Sequence, residues 1–187
     1  MLKRIFQNAH RYIFWAVFSA VIWTWILMLC TEVSPKRKVV VYADLEGLDK
    51  AALSEALSED LPKGIRCVET ERFTDQIFMP GSVQAGDLFL IPESAAESYA
   101  ESFVPIDREA FPGASFLEWN GEAYGVCVYD PAAGISVAET FIRYPALLGE
   151  ERCWLFFGRE SLHIGSWNDA SADDAAIVLA QAFMKLK

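Results

Sequence analysis

The sequence predicts an α/β domain, a mainly parallel three-layer sandwich, carried behind an N-terminal transmembrane helix. Three observations predict it. Residues Tyr12 to Cys30 form a nineteen-residue hydrophobic run, with no charge between Arg11 and Glu32. Beyond that run, short apolar segments rich in β-branched residues alternate with amphipathic ones, the pattern of buried strands covered by crossover helices. The charge changes sign at the junction. Residues 1–38 hold six of the sixteen Lys and Arg but one of the twenty-six Asp and Glu.

As a helix rising ~1.5 Å per residue, the hydrophobic run spans roughly 28 Å, about one bilayer core. A cleaved secretory signal would have a shorter apolar stretch and small residues before the cut. Here the run ends Ile26-Leu27-Met28-Leu29-Cys30, and Leu29 stands where a lipoprotein site at Cys30 needs a small residue. An uncleaved anchor over 12–30 is therefore expected, with 1–11 cytoplasmic, 31–37 a linker and 38–187 the folded domain. Lys3, Arg4 and Arg11 precede the run, while Lys36, Arg37 and Lys38 follow it. The positive-inside rule is thus nearly balanced, and the amino terminus and His10 tip it toward an inside N-terminus.

After the Ser34-Pro35-Lys36-Arg37 linker, Lys38 to Tyr42 reads as a buried strand because it is short, continuous and β-branched. Asp49 to Leu61 reads as a helix with Leu53, Ala56, Leu57 and Leu61 on one face, stopped by Pro62-Lys63-Gly64. Ile65 to Glu69 is a second strand, and Phe73 to Val83 is irregular or briefly helical. Asp87 to Ile91 is a third strand, ended by Pro92. Ser94-Ala-Ala-Glu97 fits a capping box that opens another helix. Asn120-Gly121 is a hairpin turn joining Phe116–Trp119 to Glu122–Tyr129. Residues 134–148 are ambiguous between strand and helix. Arg152 to Phe157 is another strand. Ser171 to Lys185 is a closing helix, capped by Ser171-Ala-Asp-Asp174, with Ala175, Val178, Leu179, Ala182 and Phe183 as its apolar stripe.

The domain after residue 38 carries ten basic and twenty-five acidic residues. Such a surface is repelled by nucleic acid and by anionic headgroups. Cys67, Cys127 and Cys153 each sit in apolar surroundings and read as buried free thiols, with a Cys127–Cys153 bridge as the alternative. There is no Cys-x-x-Cys, no phosphate loop and no dinucleotide fingerprint. Neither a metal nor another cofactor is expected.

Several segments, in order, resemble the extracellular solute-binding proteins of bacterial ABC importers. They are the strand-helix-strand unit of 38–69, Gly86-Asp87-Leu-Phe-Leu-Ile91, Phe103-Val-Pro-Ile-Asp107, the hairpin Trp119-Asn-Gly-Glu-Ala-Tyr-Gly-Val126, and Ser171-Ala-Asp-Asp-Ala-Ala176. Cys127 stands where the family's hairpin usually has proline. The resemblance implies one lobe of a periplasmic-binding-protein-like fold. In the family the hairpin leads into a second lobe, and solute binds between the two. The stretch between Tyr129 and Ser161 is too short to hold that lobe.

Ligands of parallel α/β sheets collect beyond the carboxyl ends of the strands, near a topological switch point. This makes Asp44, Glu93 and Ser94 the candidate ligand-binding residues. Ser94 offers helix N-terminal amides to an anion, and Tyr124 and Tyr129, which flank the hairpin strand, are placed to line the same edge. Capping, loop solvation and aromatic packing are the bland alternatives for these residues. Ser161, His163 and Asp169 can be drawn as a hydrolase triad. That drawing is rejected because Ser161 and His163 are too close in one segment and no Gly-x-Ser-x-Gly elbow exists. His163 reads instead as a structural hydrogen-bonding residue. The expected function is a non-enzymatic binding module at the cell membrane with its domain extracellular. It would serve import or solute sensing beside a permease. The alternative is an interaction protein that docks a membrane partner without a small ligand.

Overall fold

A computed structural model describes residues 2–31, 33–45, 47–59, 61–73, 86–143, 149–169 and 171–186. Within the first segment, side chains are described from Tyr12 to Leu27. The chain divides into two compact units, Met1–Ser34 and Pro35–Lys187. The expected irregular stretch to Val83 and the ambiguous positions 144–148 lie largely outside the described residues.

The first unit is one helix, α1 (Leu2–Thr31). Its described side chains leave large apolar groups in the open. Tyr12, Phe14, Trp15, Val21, Trp23, Trp25 and Leu27 are each about 60% exposed or more. Among the described residues, no helix is long and apolar enough to cross a membrane.

The second unit is an α/β domain on a seven-stranded mixed sheet. Its strands are β1 (Lys38–Ala43), β2 (Cys67–Arg72), β3 (Leu88–Pro92), β4 (Phe116–Trp119), β5 (Glu122–Asp130), β6 (Ile135–Ser136) and β7 (Cys153–Phe157). They lie in the order β2-β1-β3-β7-β5-β4, with β6 paired to β5. Parallel pairing is confined to β2-β1-β3. β7 runs antiparallel to both β3 and β5, and the hairpin β4-β5 continues that half. The sheet is therefore parallel on one side and antiparallel on the other. Among the described residues between β5 and β7 there is no α-helix of the kind that usually carries a parallel crossover.

One face is covered by α2 (Lys50–Ser58) and α4 (Ala175–Phe183). Leu53, Leu57, Leu179 and Phe183 pack there on Val39, Val41, Leu90, Leu155 and Phe157. α2 ends at Ser58, short of the expected Leu61. At its start the Asp49 carboxylate accepts from the Ala52 amide (3.1 Å) and from Arg143 (2.9 Å). Those bonds hold the Asp49 pKa below the usual carboxylate value, the amide contributing most. The opposite face carries α3 (Glu93–Ala96), a 3-10 turn over Glu97–Ser102 and an aromatic cluster. There Phe156 is stacked between Phe103 (4.5 Å) and Trp119 (5.6 Å, planes 4° apart). Phe156 lies directly over Gly125, where an added Cβ would come within 2.8 Å of its ring.

Two expected caps form differently. α3 starts at Glu93, so Ser94 lies inside it and caps nothing. α4 starts at Ala175. The Ser171 hydroxyl is drawn back to accept from the Ile164 and Gly165 amides, and Asp173 takes the Ala175 amide instead.

Gly158 is the tightest backbone position described. A Cβ there would strike the Gly86 carbonyl oxygen, a main-chain atom that has little freedom to retreat. Gly158→Ala should therefore destabilise the domain by ~1–3 kcal/mol or somewhat more. Gly125→Ala, which meets only a side chain, should cost less. Urea unfolding of both variants beside the parent measures the difference.

Candidate functional site

Asp44 and Glu93 follow the adjacent parallel strands β1 and β3, at the carboxyl edge where the connections diverge. The Asp44 amide donates to the Leu90 carbonyl (2.9 Å), which holds the chain to that edge as it leaves β1. Glu93 is gripped from β7. Arg152 approaches it with Nε and one terminal nitrogen, both at 2.6 Å, and Trp154 Nε1 adds a longer bond at 3.4 Å. The Arg152 guanidinium also lies 5.6 Å from the Trp154 ring centroid. The Ser94 amide already has an anion, since Glu151 Oε1 accepts from it at 2.9 Å. The chain thus supplies its own carboxylate to the place expected for a ligand anion, and its own guanidinium to Glu93, another of the candidate ligand-binding residues.

Tyr124 does not join this edge. Gly125 is level with Phe156 and thereby with Phe89, so Tyr124 lies toward the opposite end of the sheet from Glu93. Its ring packs 5.0 Å from Trp119, and its hydroxyl reaches Glu122 at 3.3 Å. Tyr129 is the tyrosine at the carboxyl edge, and its hydroxyl donates to the Gly149 carbonyl (3.0 Å). The sequence places both tyrosines on one strand. It does not show which end faces Glu93, because that depends on the register of β5 against β7.

An open groove of about 590 Å³ lies elsewhere, between residues 109–114 and the end of α4 at Gln181, Met184 and Lys185. None of Asp44, Glu93, Ser94 or Tyr124 lines it. Beneath α2 the core closes on a space of about 10 Å³ between Val41, Leu53, Leu90 and Phe183. That is barely enough for one water.

A buried polar network that the sequence patterns did not single out centres on Asp87. Asp87, at the entry to β3, is 3% exposed. Its Oδ2 accepts from the Val40 amide (2.8 Å) and its Oδ1 from the Ser161 hydroxyl (2.6 Å). Burial raises its pKa, against the lowering effect of the Ser161 and Val40 bonds and the nearby His163. The main chain repeats the attachment, as Asp87 N donates to Val40 O and Gly158 N to Asp87 O, both at 3.0 Å. Ser161 Oγ in turn accepts from the His163 amide (3.1 Å). His163 is 1% exposed, with Nδ1 at 2.7 Å from Asp173 Oδ1 and Nε2 at 2.9 Å from the Pro35 carbonyl.

This arrangement is not a hydrolase triad. The Ser161 hydroxyl points to a carboxylate rather than to the imidazole, both ring nitrogens are taken, and Asp169 is exposed and is not a partner of the ring. The signal for Asp87 lay in its position. It is an acid at the mouth of an otherwise apolar strand, which is seldom buried without partners.

Cys127 and Cys153 are free and buried on opposite faces of the sheet, so no bridge joins them; Cys67 is also free. Burial pushes the Cys127 thiol up to about 11 and the Cys153 thiol up to about 12. Both stay protonated and poorly nucleophilic at neutral pH. Among the described residues, no His, Cys, Asp and Glu side chains are grouped to hold a metal ion.

No family model, curated protein or solved structure matches this chain. The likeness to solute-binding proteins therefore rests on the motifs in the sequence.

Ser161→Ala should lower stability by ~1–3 kcal/mol, because it leaves Asp87 Oδ1 and the His163 amide without their partner. Asp169→Ala, on the exposed side of the same segment, should stay within ~0.5 kcal/mol of the parent. Denaturant unfolding of the two variants tests the contrast.

Proposed function

We propose that this chain is a membrane-tethered, non-enzymatic α/β interaction module. In this reading α1 inserts in the bilayer and the Pro35–Lys187 domain docks a membrane protein at the extracytoplasmic face. The observation that carries it is the apolar surface of α1, which is exposed all round from Tyr12 to Leu27. A helix that is hydrophobic on every side needs a non-aqueous surrounding. The described side chains, Tyr12 to Leu27, fall short of a full span, but in the sequence the uncharged run continues to Cys30 and reaches roughly 28 Å as a helix, about one bilayer core. The acidic domain would be held off anionic headgroups and left available to a protein partner.

A second reading keeps the likeness to solute-binding proteins, with a small solute at the edge formed by Asp44, Glu93 and Ser94. It is favoured by the convergence of those three residues beyond two adjacent parallel strands. The internal pairing of Glu93 with Arg152, and of the Ser94 amide with Glu151, weighs against it. A solute would have to displace both.

The full-length chain, reconstituted with phosphatidylcholine vesicles, should float with the lipid. Val21→Arg should sharply reduce the floating fraction, since a central arginine costs ~2.5–3.5 kcal/mol of insertion. Equal flotation of the variant would overturn the anchor. Thermal melts of the full chain across a metabolite and peptide panel should show no stabilisation. A solute present at ~100 times its Kd adds ~2.7 kcal/mol of stability, so one that binds would reveal itself and establish the second reading.

A further inference from the structure

We propose that His163 is a proton-controlled latch, holding the first residues of the domain to the start of α4 only while its ring carries both protons. The argument begins with the two atoms facing the ring. A neutral imidazole has one donor nitrogen and one acceptor nitrogen. The Pro35 carbonyl at Nε2 can only accept. Asp173 Oδ1 at Nδ1 already accepts from the Ala175 amide, which leaves it acting as a carboxylate acceptor toward the ring. Two acceptors on two ring nitrogens call for an imidazolium. A neutral ring must give up one of the two bonds.

The charges around the ring agree. Asp173 faces it from the segment leading into α4, and Asp87 faces it from the entry to β3, with Ser161 between. Burial by itself lowers the ring's pKa. The Pro35 and Asp173 bonds and the two carboxylates outweigh it, so the net shift is upward. A histidine held above its ordinary value near 6.5 stabilises the fold fully below that value, and the contribution is lost as pH rises through the folded pKa. The latch is therefore closed in mildly acidic conditions and opens on the alkaline side.

The bond that yields is the one to Pro35. Asp173 and a neutral ring still make a donor–acceptor pair through Nδ1–H, whereas Nε2 then presents a lone pair to a carbonyl. Pro35 opens the 3-10 turn Pro35–Arg37 and is the first residue of the domain, next in sequence to the unit that holds α1. Deprotonation thus frees the Pro35–Arg37 turn at the start of the domain while leaving the sheet intact.

The test uses the full-length chain in detergent micelles with His10→Gln, which leaves His163 as the sole imidazole. Long-range 1H–15N spectra should show both ring nitrogens protonated near pH 6, with a midpoint above the ordinary histidine value. Adding Asp173→Asn should move that midpoint down by roughly 1 pH unit. The backbone signals of Lys36 and Arg37 should titrate with the ring. The melting temperature should fall as pH is raised through the midpoint, and this fall should vanish in the His10→Gln, His163→Gln double variant. A ring that is neutral near pH 6, or a midpoint unmoved by Asp173→Asn, overturns the latch. Silent Lys36 and Arg37 signals overturn its opening at Pro35. If the double variant does not fold, the ring spectra decide alone.

Discussion

A buried carboxylate has to be matched by donors from the segments that enclose it, and Asp87, at the entry to β3, meets that demand with β1 and the turn that follows β7. It takes the Val40 amide and the Ser161 hydroxyl, while its own backbone is bonded to Val40 and Gly158. Removing water from a carboxylate is costly unless such donors are in place. The group thus penalises any arrangement in which the three segments do not meet. Hydrophobic burial alone tolerates slippage of one strand against another. A fixed set of short polar bonds at the mouth of β3 does not, and it sets where β1 and β7 lie on either side.

The aromatic layer on the other face works by shape. Phe156 is flat against Phe103 and Trp119 and sits over Gly125. Gly158, after β7, lets the chain approach the Gly86 carbonyl ahead of β3 more closely than a side chain would permit, and Gly86 leaves room for the Tyr42 and Phe89 rings. Among the described residues, the helical cover on this face is one turn of α-helix and a 3-10 turn, and stacked rings pack beside it. The two faces are therefore built differently, with aliphatic helix packing on one and ring stacking on the other.

Much of this was legible in the sequence, and the gaps have physical causes. Val39, Val40 and Val41 announce β1, Leu88 to Ile91 announce β3, and Asn120-Gly121 announces the hairpin, because these signals are local. The insertion of β7 between β3 and β5 is a long-range choice that no local pattern encodes. It decided that Tyr129, and not Tyr124, reaches the edge beside Glu93. Ser94 looked like a cap because serine three residues ahead of glutamate often is one. Glu93 instead entered the helix, held by Arg152, the residue just ahead of β7. Among the candidate residues, position at a strand end could be read from the sequence. What already occupies each group could not, since Glu151 and Arg152 lie more than fifty residues away in the chain.

The bond between His163 and Pro35 spans 128 positions, nearly the whole domain. A ribosome delivers α1 well before the Ser161–Asp173 segment. The domain cannot fasten its Pro35–Arg37 turn until that segment exists, and contacts of such separation form late. During synthesis the hydrophobic helix is therefore free to find its surroundings while the sheet behind it is still open. The order of emergence lets the hydrophobic helix be placed first and the domain's own first turn be fastened afterwards.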